Sequence, residues 1–151
     1  LAQLTYGSNW GKLDFLVVDL PPGTSDIQIS LSKHYPIAAA IMVTTPQEVS
    51  LMDVKKAIGM FQRMNIPVAG IVKNMSHFKD AETGKTSFIF GKGHVEEVAK
   101  NYNLEILAEI PLIPAISETG DIGKPIVESA GEGSEIFLDL ARSISKKLVT
   151  D

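Results

Sequence analysis

An aspartate closes the apolar run at residues 15–19 (Phe-Leu-Val-Val-Asp), and Leu20-Pro21-Pro22-Gly23-Thr24-Ser25-Asp26 follows directly. A carboxylate at the tip of a buried strand is what a Walker B position supplies. It holds Mg²⁺, usually through water, beside the phosphates of a nucleotide. Pro21 and Pro22 stiffen the turn, and Gly23 lets a backbone N–H approach a γ-phosphate with no Cβ in the way. An isolated strand-ending aspartate would more readily be a turn cap; the attached Pro-Pro-Gly-Thr shifts the balance to phosphate chemistry. Asn74, after another apolar run, offers both a donor and an acceptor, although alone it reads as a turn residue. His77, Asp80, Glu82 and His94 are types that could bind a hard metal, but they lack strict ligand spacing and sit in a polar stretch, as a solvated loop would. Gly84-Lys85-Thr86 has the ending of a Walker A loop. The earlier glycine position holds Lys79, however, and the following Ser-Phe-Ile-Phe reads as strand rather than as the helix a phosphate loop must open.

These residues need a frame. Four apolar runs, 15–19, 39–44, 68–72 and 105–110, are nearly continuous rather than alternating, as in strands covered on both faces. Between them Leu51, Val54, Ile58, Phe61 and Met64 share one helical face. Thr45 as N-cap, Pro46 at N1 and Glu48 at N3 would make a capping box for that helix. Val95, Val98, Ala99 and Tyr102 repeat the pattern. Phe137, Leu140, Ala141, Ile144 and Leu148 form a last helix, with Ser134 as a candidate cap. A further helix is expected from near Asp26 to before Pro36. Residues 76–93 suggest a hairpin around Thr83-Gly84, and 111–133 a long loop with one helical turn. Strand and helix in alternation predict an α/β fold with a parallel sheet and right-handed crossovers. In such sheets ligands sit beyond the carboxyl ends of the strands, where Asp19 and Asn74 fall.

The ordered set of segments resembles a known family. Residues 10–26, Trp-Gly-Lys-Leu-Asp-Phe-Leu-Val-Val-Asp-Leu-Pro-Pro-Gly-Thr-Ser-Asp, resemble the switch II region of Mrp-type ATPases, an iron–sulfur cluster carrier family related to MinD and ParA. Val-Thr-Thr-Pro-Gln at 43–47, Gly-Ile-Val-Lys-Asn-Met-Ser at 70–76, Ile-Phe-Gly at 89–91, Glu-Ile-Pro-Leu at 109–112 and Gly-Lys-Pro-Ile-Val at 123–127 follow in the family's order. The resemblance implies a three-layer P-loop NTPase-like fold, ATP and Mg²⁺ as ligands, slow hydrolysis of ATP, a homodimer and iron–sulfur client proteins. By resemblance Asp19 is the Walker B aspartate and the metal contact, and Gly23 and Thr24 are the switch that senses the γ-phosphate. Asn74 meets the adenine edge, and the backbone at Pro111 and Leu112 lines the base pocket.

Two departures qualify the match. No G-x-x-x-x-G-K-[ST] occurs, so the chain is expected to be the C-terminal part of such a domain, with the phosphate-binding unit outside it, and to hydrolyse ATP poorly alone. Many members also carry C-x-x-C after the Asn-Met-Ser segment; here Asp80 and Thr83 take those places, and the chain has no cysteine. Cluster binding in the family's usual manner is therefore not expected, which keeps open a cluster-free MinD- or ParA-like switch or a non-catalytic interaction module. A receiver domain is a weaker rival: Asp19, Thr44 and Lys73 mimic its trio, but no earlier acidic pair exists and Asn74, not proline, follows Lys73.

Composition sets the outer limits. At 151 residues with 44% hydrophobic and 21% charged content, a single α/β domain over 1–151 with a real core is expected. A net charge of −4 opposes a uniformly basic face for nucleic acid. No segment reads as a signal peptide or a membrane span, so a cytoplasmic or organelle-matrix setting is expected.

Overall fold

The computed structural model describes residues 7–21, 26–129 and 133–149. In chain order it contains α1 (Asp26–His34), β1 (Ala40–Thr44), α2 (Glu48–Arg63), β2 (Val68–Lys73), β3 (Phe78–Lys79), β4 (Thr86–Ser87), α3 (Val95–Asn101), β5 (Ile106–Glu109), α4 (Pro114–Asp121), a 3₁₀ turn (Ile126–Glu128) and α5 (Ser134–Leu148). The main sheet is parallel with order β1-β2-β5, and β3 and β4 form a separate antiparallel hairpin. Three of the expected strands and the expected hairpin are therefore present.

The core lies between the sheet and the helices α2 and α3. Leu51, Val54, Ile58 and Phe61 of α2 meet Met42 of β1, Ile71 of β2 and Val95, Val98 and Ala99 of α3. Leu51, Ile58 and Ile71 are fully buried. The spacing of these residues by three and four puts them on one stripe, and their burial is what holds the helices to the sheet. β2 is central, and its residues from Gly70 to Lys73 are all buried. Gly70 has no room for a side chain: a Cβ there would lie 2.6 Å from the Glu105 carbonyl oxygen.

Several expectations are corrected. Residues 15–19 are not a strand; they run irregularly and exposed, with Val17 at 89%. Among the described residues no strand pairs with them, so the backbone groups lack the ladder that makes an apolar run a strand. β1 is not covered on both faces either. Met42 and Thr44 are buried on the α2 side, whereas Ile41 and Val43 are exposed at 36% and 59%. The capping box on α2 does not form: Gln47 is the N-cap, and no side chain caps the helix. Thr45 Oγ1 instead bonds Ser50 Oγ at 2.8 Å. Pro46 is fully buried and so close beneath Gly93 that a Cβ there would lie 2.0 Å from its carbonyl oxygen. Tertiary packing, not helix entry, thus decides the conformation at 45–46. Ser134 is not a cap but the first helical residue of α5, since Gly133, at φ 95°, turns the chain one residue earlier. Within residues 111–129 there is more helix than one turn, because Pro114 opens the eight-residue α4.

Candidate functional site

The three parallel strands end at one rim. There Asn74 N–H donates to the Thr44 carbonyl at 2.7 Å, and Ile110 N–H donates to the Lys73 carbonyl at 2.9 Å. Ser76 N–H and Ser76 Oγ both donate to the Ile110 carbonyl, at 2.9 and 3.1 Å, and Leu112 N–H donates to His77 at 2.7 Å. The segment after β2 is thus laced to the segment after β5. Met75 sits in the left-handed region at φ 52°, and its N–H donates to Asn74 Oδ1 at 2.9 Å. That bond orients the carboxamide at the surface of the rim.

The structure brings together three of the sequence-predicted residues. Asn74, Pro111 and Leu112 are half-buried neighbours along this rim. Pro111 and Leu112 also line a cavity of about 190 Å³ with His77, Phe78 and Pro114, between the hairpin and the start of α4. Asp19 is not carried by a strand and is exposed. Its segment is held at its end: Leu20 packs on the core, and Gln28 Nε2 of α1 donates to the Pro21 carbonyl at 2.6 Å. Gly23 and Thr24 lie outside the described residues.

Lys73, at the end of β2, was given a role by the sequence only in the receiver trio. Its side chain is 8% exposed, and Nζ lies 2.6 Å from Glu96 Oε1 and 3.9 Å from Glu109 Oε2. Partial burial pushes the Glu96 carboxyl up. The Lys73 hydrogen bond, with a backbone N–H and the charges of Lys73 and His94, more than offsets this and holds it below the usual glutamate range. The signal was present in the sequence: an ammonium ending a buried apolar run must find a carboxylate.

The other candidate groups do not assemble a metal site. No group of three or more His, Cys, Asp or Glu able to hold an ion occurs among the described residues. His77 Nδ1 is 3.0 Å from Ser76 Oγ, and His94 lies between Glu48 and Glu97 at 3.7 and 3.6 Å. Asp80 Oδ1 accepts from Thr83 Oγ1, Thr83 N–H and Glu82 N–H at 2.7, 2.7 and 3.1 Å. Thr83 is the first cause of its lowered carboxyl pKa, so this side chain serves its own turn. Gly84-Lys85-Thr86 occupies the hairpin and opens no helix, which removes it as a phosphate loop. A Mg²⁺ ion with one protein carboxylate, water and phosphate oxygens is compatible with Asp19. An iron–sulfur cluster does not fit these residues, because no thiolate exists among them.

Comparison with known proteins places this geometry. The family model described as NUBPL iron-transfer P-loop NTPase, of the ParA group, matches residues 1–148. The iron–sulfur cluster carrier protein of Aquifex aeolicus is 46% identical over 148 residues, 97% of this chain but 41% of that protein. The chain thus spans about two fifths of the relative's length. A nucleotide-binding protein of Archaeoglobus fulgidus, solved in complex with ADP, superposes with a TM-score of 0.71 at 36% identity, covering 85% of this chain and 52% of that one. The cell division ATPase MinD of Pyrococcus furiosus superposes with a TM-score of 0.57 at 27% identity over 73% of this chain and 43% of that one. With a match over nearly every residue and a parallel sheet of the same kind, the chain belongs to the Mrp/NUBPL iron-transfer P-loop NTPase family.

Proposed function

We propose that this chain forms the base-binding and switch-bearing part of an ATP-binding, ATP-hydrolysing iron–sulfur cluster carrier. The observation that carries the reading is the laced rim of Asn74, Pro111 and Leu112, in a chain that matches the family from residue 1 to 148. The Asn74 carboxamide would hydrogen-bond the adenine edge, and the backbone at Pro111 and Leu112 would flank the ring. Asp19 would hold Mg²⁺ through water, with Gly23 and Thr24 beside the γ-phosphate. Mg²⁺, when bound, neutralises charge on the phosphates. A glycine-rich loop with its lysine, preceding these residues in the longer polypeptide, would cradle the phosphates. No strong general base stands among the proposed site residues, so turnover would be slow and would act as a switch. A homodimer in the cytoplasm or an organelle matrix is the expected setting.

The test uses the polypeptide that carries these residues together with the preceding segment. It should bind and hydrolyse ATP, and Asp19→Ala should abolish turnover while the melting temperature stays within about 2 °C. A large loss of stability with turnover intact would make Asp19 a structural residue instead.

The missing thiolates favour a second reading, a cluster-free switch in which ATP controls dimerisation and partner binding. Any cluster cargo would have to be held by cysteines outside residues 1–151. Iron content after anaerobic reconstitution of the longer protein decides: a stoichiometric cluster defeats the switch-only reading.

A further inference from the structure

Lys73 ties three elements at the rim. It ends β2, Glu96 lies in the first turn of α3, and Glu109 ends β5. Its side chain is 8% exposed, whereas those of Glu96 and Glu109 are 55% and 48% exposed. The lysine therefore reaches from beneath the rim to carboxylates at its edge. Its own carbonyl accepts from Ile110 N–H, and the next residue is Asn74, whose N–H is held by Thr44. A displacement of Lys73 must pass through one peptide bond to Asn74 and through one hydrogen bond to the 110–112 segment. A buried ammonium has few water partners of its own, so a charge-assisted bond of 2.6 Å to Glu96 restricts where its side chain can sit.

We propose that Lys73 is a positioning residue for nucleotide binding: its ion pair with Glu96 locks the end of β2 against α3 and so fixes the Asn74 carboxamide and the Pro111–Leu112 backbone for the base. The proposal rests on the nucleotide reading above and adds to it a residue that touches no nucleotide. The lock acts on the base end of the site only, since the phosphates are held by other groups.

The experiment compares Mg²⁺-ATP with Mg²⁺-tripolyphosphate, which has the phosphates and no base, by calorimetric titration of the longer polypeptide. Lys73→Met and Glu96→Gln should each weaken ATP binding about threefold to tenfold. Tripolyphosphate binding should stay within about twofold, and Lys73→Arg, which keeps the charge for Glu96, should retain ATP affinity. Equal weakening for both ligands would mean a general structural role and overturn the proposal. So would unchanged ATP affinity in both Lys73→Met and Glu96→Gln. If either variant does not fold, the other decides alone, by the same comparison of the two ligands. Failure of the unsubstituted protein to bind either ligand overturns the nucleotide reading, and the positioning role falls with it. Tripolyphosphate binding without ATP binding would overturn the base contacts and the proposal while leaving the phosphate site standing.

Discussion

Lys73 and Glu96 are unequal partners, and the inequality has consequences for stability. Deleting the lysine leaves two half-exposed carboxylates that water can solvate; deleting Glu96 leaves a buried ammonium with only Glu109 at 3.9 Å. Removing the counter-charge of a buried ion costs more than replacing the buried ion with an apolar side chain. Glu96→Gln should therefore lower unfolding stability by about 1–2 kcal/mol, a figure reduced for the exposure of Glu96. Lys73→Met should cost less, and urea unfolding of the two variants measures the order; a reversed order would refute the asymmetry. The pair also gives a pH dependence. The Glu96 carboxyl is depressed in the folded chain, so its contribution is present above the ordinary glutamate range and is lost as the pH falls through the lower folded value. The urea midpoint should fall on acidification, with a shallower slope in Glu96→Gln. At this scale the placement of residues, not their roles, was legible. Asn74, Pro111 and Leu112 do meet at one rim, whereas the partners of Lys73 lie 23 and 36 residues away in sequence and needed the fold to be found.

The buried faces of α2 and α3 follow from spacing, whereas the expected face of α5 is only half-buried, with Ala141 exposed, and helix entries do not follow from the sequence. The stripe on α2 and the apolar face of α3 bury as their periodicity requires. The entry to α2 is set by a contact with distant sequence, Pro46 beneath Gly93. Gly93 is required there twice, by a φ of +63° and by the 2.0 Å that a Cβ would leave to the Pro46 carbonyl oxygen. Gly84, in the hairpin turn, has φ +67° but open space around it. Gly84→Ala should cost about 1 kcal/mol, the price of a left-handed residue alone. Gly93→Ala should cost about 3 kcal/mol or more, because the backbone must also move. Parallel urea titrations of the two variants give the comparison; equal losses would show that the Pro46 contact yields freely.

Among the described residues the main sheet has three strands, with β1 at one edge. The outer face of β1 carries exposed Ile41 and Val43, and exposed Leu13, Leu16 and Val17 precede it in a segment without strand pairing among the described residues. An open parallel edge beside apolar side chains is a template for association. Residues 1–151 alone should bind a hydrophobic dye and show concentration-dependent sedimentation. A polypeptide extended by the phosphate-loop segment that the proposed function calls for should do neither as strongly. A monomeric, dye-silent chain would refute this account.

What the amino-acid sequence determined by itself is whatever depends on neighbours within a few residues. The period of apolar side chains set the α/β class, three of the four strands and the faces of α2 and α3. The order of short motifs set the family. The hairpin was legible because Thr83-Gly84 is local turn chemistry. Tertiary structure alone decided whatever depends on a distant partner. The run 15–19 is as apolar as β2, but a strand exists only where another strand pairs with its backbone, and among the described residues none does. Thr45 could have capped α2, but packing under Gly93 fixed that corner first. The clamp from Lys73 to Glu96 and Glu109 exists because parallel strands with helical crossovers bring residues from three separate segments to one rim, and a buried charge then selects its partners by distance.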